Sequence, residues 1–310
     1  MLGTSELFMN RKKLLLIGFV RVLCVLMLLW VLRSKPFVGS PELTVSTDCS
    51  GYQAAVPSGD VIITDSLLMP SPNPDSLEEA VSRAVKSQGK SYLAGEAVTE
   101  GHIILDSEEK DGQVKVYTIA AIGWFSFENE IFTTVSGSGP IPTVMTFSKN
   151  ENGVYVLLRY QEPQDGALLT SSVKKMFPQK LWPQVLTEDK WYPELVKQKE
   201  NQAAAYLKSI GREAQVRAGY VEKKLIDIDA EACDKLFTEL TKNDSYLNSC
   251  PCWVGSREAI ENGVRYIYET SRSKTGDGYD LIIFQKKKDN GSIVMEAKYK
   301  IVGNEPQLID

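Results

Sequence analysis

The chain has 310 residues, 43% of them apolar and 24% charged, with a formal net charge of −5. That mild acidity, without a basic cluster, argues against nucleic acid as a partner. A single histidine and five scattered cysteines are too few ligands for a metal site, so no metal is expected, and no cofactor either.

Residues 14–32 are apolar except for Arg21, with Arg11, Lys12 and Lys13 before them and Arg33 and Lys35 after. A hydrocarbon core of roughly 30 Å needs about 20 helical residues. The run therefore reads as one transmembrane anchor behind a short basic N-terminus, residues 1–13. A charge near a helix centre costs about 2.5–3.5 kcal/mol on insertion scales. Arg21 lies close enough to the start to extend toward the basic flank. A cleaved signal peptide has the same basic-then-apolar order, but this run is longer than such a core, and Val38-Gly39-Ser40 is a poor cleavage site. Cys24 follows Val22 and Leu23, where a lipidated cysteine would want small residues. The flanking charges favour a cytoplasmic N-terminus. The rest of the chain is then expected outside the cytoplasm, held at the cell membrane by residues 14–32.

Residues 33–74, rich in Ser, Pro, Thr, Gly and Asp, read as a linker. A first α+β unit is expected over 75–212. Asp75 as N-cap and Glu78 three residues on predict a helix start. Leu77, Ala80, Val81, Ala84 and Val85 give that helix one apolar face; it is expected to run to about Ser87, with Gly89 as its stop. From 96 to 162 the period changes to two, with strands predicted at 102–105, 114–119, 131–135, 143–147 and 154–160. Lys110-Asp111-Gly112 and Asn150-Glu151-Asn152-Gly153 are hairpin turns. The result is an antiparallel meander with one face covered by the preceding helix. Helices are predicted over 168–177 and 191–210, the second closed by Gly211. A second α+β unit, 213–310, repeats the order. It has a strand over 220–227, a helix capped by Asp229, and strands over 264–270, 279–285 and 293–301. The fold class is therefore α+β: antiparallel meanders, each preceded by a packing helix, behind a single N-terminal transmembrane helix.

Several motifs invite chemistry. Ser171 and Lys174 form S-x-x-K, and Lys274-Thr275-Gly276 follows as K-T-G, the pattern of penicillin-recognising serine acyltransferases. The K-T-G here leads into Asp277-Gly278 between two alternating runs, as a hairpin tip would. His102 alternates with Ile103 and Leu105 as a sheet residue and lacks a spaced partner for a relay. Ser136-Gly137-Ser138-Gly139-Pro140 reads as a turn, because no helix follows to present amides to phosphate. Trp124, Phe125, Phe127 and Glu128 put bulk and charge on both faces of a strand, so one face is a candidate ligand groove. Glu128 with Glu130 also reads as an acid pair beside an aromatic cleft, with exposed strand-end charge as the alternative. Cys233, Cys250 and Cys252 are disulfide candidates, with Cys233 the expected partner of one of the other two; free buried thiols are the alternative.

Three segments carry a family resemblance: 117–129 with Gly123-Trp124-Phe125-Ser126-Phe127, 135–144 with Ser136-Gly137-Ser138-Gly139-Pro140, and Asp277-Gly278-Tyr279-Asp280-Leu281. Together they resemble the extracytoplasmic C-terminal region on Firmicutes membrane proteins of the beta-lactam-sensor and antirepressor metallopeptidase superfamily. Those proteins carry an H-E-x-x-H zinc helix among several membrane spans. This chain has one histidine and one apolar run, so the peptidase half is absent and no catalytic residue carries over. The resemblance implies an outward-facing module linked to envelope sensing. The sequence thus predicts a non-catalytic module that binds a ligand or partner. The alternatives are a serine-acylating sensor or enzyme using Ser171 and Lys174, and a structural envelope protein.

Overall fold

A capping box at Ser76 starts the first helix, α1 (Leu77–Ser87). The Glu79 amide donates to the Ser76 hydroxyl at 3.2 Å, and the Ser76 amide donates to the Glu79 carboxylate at 2.9 Å. The box sits one residue later than the expected Asp75 and Glu78, because the serine and glutamate satisfy each other's backbone donors. The helix ends at Ser87 as expected, and Gly89 lies in the 3₁₀ turn, Gln88–Ser91, that follows it. The computed structural model describes residues 76–187, 190–219 and 221–309. The expected anchor at 14–32 and the linker lie outside these residues. Among the described residues, no helix is long and apolar enough to cross a membrane.

Two long strands follow, β1 (Ala97–Lys110) and β2 (Gln113–Glu128). Asp111 and Gly112, at φ 54° and 72°, make the two-residue turn between them. β3 (Ile131–Gly137), β4 (Ile141–Lys149) and β5 (Tyr155–Gln161) complete the first meander. β1 runs along one edge of β2. The other edge is divided: β4 pairs with Gln113 through Ala120, and β3 pairs with Gly123 through Glu128. The sequence predicted one covered face, but the middle of β2 is buried on both. On one face Ala80, Val81, Ala84 and Val85 of α1 pack on Val114, Val116, Met145 and Phe147. On the other, α2 (Leu169–Met176), α3 (Trp182–Val185) and α4 (Tyr192–Ser209) pack on Tyr117, Ile119 and Val144. Each fully buried side chain of this size stabilises the fold by roughly 1.5–3 kcal/mol.

The free edge of β1 is closed by α4. Gln198 accepts from the His102 amide at 2.8 Å. Gln202 accepts from the Glu100 amide at 3.2 Å and donates to the Glu100 carbonyl at 2.8 Å. Two glutamines one helical turn apart thus occupy backbone groups that an edge strand would otherwise offer to another chain. Such close approach requires Gly101, where an added Cβ would lie 2.7 Å from the Leu195 carbonyl oxygen.

After the short strands β6 (Val216–Arg217) and β7 (Lys224–Leu225), Asp229 caps α5 (Ala230–Asp234). That helix widens into a π-turn, Lys235–Leu240, and Asp244 caps α6 (Ser245–Ser249). β8 (Trp253–Glu261), β9 (Val264–Lys274), β10 (Asp280–Lys288), β11 (Ile293–Val302) and β12 (Glu305–Leu308) form the second meander. Leu236, Phe237 and Tyr246 cover it by packing on Tyr268, Ile282, Phe284 and Tyr299. Among the described residues the fold is α+β, with 12 strands in one sheet, antiparallel except where β6 joins β3. β8, weakly patterned and charged, was not predicted, and the expected strand over 220–227 is reduced to β7.

The two meanders share a single β2–β8 residue pair, Glu128 with Arg257. Side chains supply the rest of the junction. Arg265 grips Glu96 with two bonds of 2.7 Å and reaches Glu258 at 2.9 Å. Arg212, just beyond α4, binds Glu258 at 2.6 and 3.2 Å, and its guanidinium stacks 3.9 Å from the Phe127 ring centroid. Tyr206 donates to Glu96 at 3.0 Å.

Replacing Gly101 with Ala forces α4 off β1. The expected loss is about 1–3 kcal/mol, read as a lower urea midpoint with unchanged slope. An unchanged midpoint would mean that the helix does not seat directly on the strand.

Candidate functional site

The residues expected to form a ligand groove are in the core. Trp124, Phe125 and Phe127 are 3%, 0% and 1% exposed. The Trp124 indole donates to the Gly89 carbonyl at 3.0 Å, which fixes the 3₁₀ turn against β2. Phe125 and Phe127 pack around Phe132, with Ala203 and Leu207 of α4 in the same cluster. Glu128 is also buried, and it is held by Lys223 at 2.8 Å. It is therefore not an exposed strand-end charge. Glu130, by contrast, stands in the β2–β3 turn at φ 63°.

A crevice opens beside this segment, where the outer partner of β2 changes. β4 leaves after Ala120 and β3 begins at Gly123, so Ile122 has no strand partner on that side. Ser138 fills the gap. Its hydroxyl accepts from the Ile122 amide at 3.1 Å, and its amide donates to the Ile122 carbonyl at 3.0 Å. Gly137, at φ 148°, lets the chain turn there, since a Cβ would collide with the Ile122 carbonyl. Around this point Gln88, Tyr92, Ser138, Tyr160 and Glu162 converge over a floor that includes Val85, Ile122 and Ile141. The unfilled volume is about 10 Å³, room for about one water. Burial raises the Glu162 carboxyl above its ordinary value, against a hydrogen bond from Tyr160. Burial and then the Glu162 charge raise the Tyr160 phenol, which stays protonated. The crevice thus offers phenol and amide donors beside one carboxylate. Sequence reasoning missed four of its five polar groups because they come from distant elements; only the glycine-rich turn at 136–140 gave a signal.

The single histidine is locked in an acidic clasp. His102 Nδ1 lies 2.8 Å from Glu100 and Nε2 2.7 Å from Glu78. Ser82 donates to Glu100 at 2.7 Å, and Gln202 does so at 3.0 Å. Carboxylates only accept, so both ring nitrogens carry protons and the imidazole is cationic. No ring nitrogen is left to take a proton from a hydroxyl, and the clasp ties α1 to β1. Burial pulls the His102 pKa down, but the hydrogen bonds and charges of Glu100 and Glu78 outweigh it and the net shift is upward. For Glu100, burial pushes up, and His102, Ser82 and Gln202 bring the net shift below the ordinary value.

The S-x-x-K pair lies on α2. The Ser171 hydroxyl donates to the Leu168 carbonyl at 3.0 Å, and the Lys174 ammonium sits 5.2 Å from the Trp182 ring centroid. Lys274 pairs with Asp280 at 3.0 Å at the β9–β10 hairpin. Cys233 is disulfide-bonded, whereas Cys250 and Cys252 are free thiols. The expected pairing of Cys233 with Cys250 or Cys252 is therefore not formed: both are held at the start of β8 against the second core. Among the described residues, no group of three or more His, Cys, Asp or Glu side chains is placed to hold a metal ion. No family model matches the chain, and no curated protein or solved structure matches it either.

The clasp has a definite pH signature. The His102 contribution is fully present below the ordinary value of 6.5 and fades as pH climbs through the raised folded value. The Glu100 contribution is present above 4.5 and is lost as pH falls through the lowered folded value. Stability from the clasp is greatest between these two pH values, and His102→Gln should abolish the decline above pH 6.5. An identical decline in the variant would show that other groups cause it. A second check is thiol labelling at pH 8. Burial pushes Cys250 up to about 12 and raises Cys252, so neither should react until the chain unfolds.

Proposed function

We propose that this chain is a single-pass, outward-facing membrane protein whose extracytoplasmic domain binds a ligand or partner and performs no chemistry itself. The observation that carries this reading is the crevice beside Ile122. Its polar groups converge on a space that admits one small group, such as a hydroxyl, amide or ammonium, rather than a whole substrate. The ligand is then a larger molecule that projects one such group. No described side chain there pairs a nucleophile with a base, and His102 is committed to its two carboxylates. The bonded Cys233 supports an exterior location, since disulfides persist mainly in oxidising compartments. The resemblance to sensor ectodomains supports a role in envelope sensing.

Two measurements test this. Detergent-solubilised full-length protein incubated with a fluorescent beta-lactam should take up no covalent label. Labelling that disappears in Ser171→Ala would replace this reading with the acylating one. A photo-crosslinking residue at Tyr92, in native membranes, should capture a defined partner, with the yield reduced about tenfold by Glu162→Gln, as for loss of a charge-assisted hydrogen bond. Capture of wall polymer alone would favour a structural role.

A further inference from the structure

Remote from the crevice lining, a second cluster is short of a negative charge. Trp253 and Arg257 lie on the same face of β8, four residues apart. Lys223 reaches them from the segment before β7. Its ammonium lies 4.1 Å from the Trp253 ring centroid, and the Arg257 guanidinium lies 5.0 Å from it. Glu128 sits opposite Arg257 in the sheet but is held by Lys223 at 2.8 Å. Lys223 and Arg257 bring two positive charges and Glu128 one negative, so one positive charge is unbalanced. Cys250 and Cys252 do not supply the missing charge, because burial keeps both as neutral thiols.

Donors in the cluster also lack acceptors. Trp253 is only 5% exposed, and its indole Nε1 is buried without a hydrogen-bond partner among the described residues. The Arg257 guanidinium has five N–H donors and, among the described residues, makes no ion pair or hydrogen bond; the residue is partly exposed, so a ligand or water can reach it. Burial works against its charge, with Glu128 the main opposing influence. Leaving the Trp253 indole N–H unsatisfied costs about 1–3 kcal/mol, and buried polar groups in folded proteins nearly always find a partner.

We propose that Trp253, Arg257 and Lys223 form a binding site for one carboxylate group, either of a small free acid or of a peptide C-terminus. A single negative charge completes the balance. A dianionic phosphate would overshoot it beside Glu128. The planar guanidinium matches a carboxylate with two parallel bonds, and the indole N–H supplies a third donor.

The test is thermal melting of the detergent-solubilised full chain in a chloride-free neutral buffer at constant ionic strength, with acetate titrated in. Acetate should raise the melting temperature in a saturable way. Arg257→Gln should raise the half-saturating concentration about tenfold or more. Trp253→Phe removes the orphaned donor and keeps the aromatic bulk. It should melt at or above the wild-type temperature without acetate, yet respond to acetate several-fold more weakly. Tri-alanine with a free C-terminus should act like acetate, and its amidated form should not. Tri-alanine half-saturating below acetate identifies a peptide terminus as the ligand, and the reverse order a small acid. The proposal fails if wild-type protein shows no saturable acetate response, or if both variants respond as wild type does.

Discussion

The polar junction at the end of β2 is the interaction on which the rest of the architecture depends. The backbone joins the two meanders through one residue pair, too little to fix their relation. Arg265, Glu96, Glu258, Arg212 and Tyr206 fix it instead, arranged over the Phe127 ring. Glu96 and Glu258 have side chains 5% and 10% exposed, so their charges are largely removed from water. Such a network is not by itself strong evidence of stability, since desolvation offsets much of the attraction. Its geometry is nevertheless demanding, and breaking one member of a buried pair costs about 3–5 kcal/mol. Gly255 adds to the fit by leaving room for Asn129, whose side chain accepts from the Ser256 amide at 2.9 Å.

The same strand sets where the crevice opens. Because β2 exchanges β4 for β3 along one edge, its backbone is briefly without a strand neighbour, and a side chain must stand in. Ser138 does so, and the splayed strands leave the crevice around it. Elsewhere in the first meander both faces of β2 are covered and α4 seals the β1 edge, so the crevice is a gap in an otherwise closed layer. The second meander differs. Helices cover one face, and its other face carries paired charges such as Lys287 with Glu269.

Much of this was legible in sequence where local chemistry decides the outcome. The Asp111-Gly112 turn, the apolar stripe of α1 and the Asp229 cap all follow from residue types acting on their neighbours. What was not legible depends on residues distant in the chain. Trp124, Phe125 and Phe127 looked like a groove because bulk on both faces of a strand suggested one spare face. Both faces are taken, one by the helical turn after α1 and one by α4. Glu128 looked like surface charge because its partner, Lys223, is nearly a hundred residues away. β8 escaped notice because Arg257 and Glu258, which serve the sheet and its junction, interrupt the apolar alternation that marks a strand.

Native-state hydrogen exchange on the full chain tests the central claim most directly. If the polar junction couples the two meanders, amides of β2 and those of β9 and β10 open with the same free energy in one cooperative unit. Opening of β9 and β10 at markedly lower free energy, while β2 stays protected, would contradict the account.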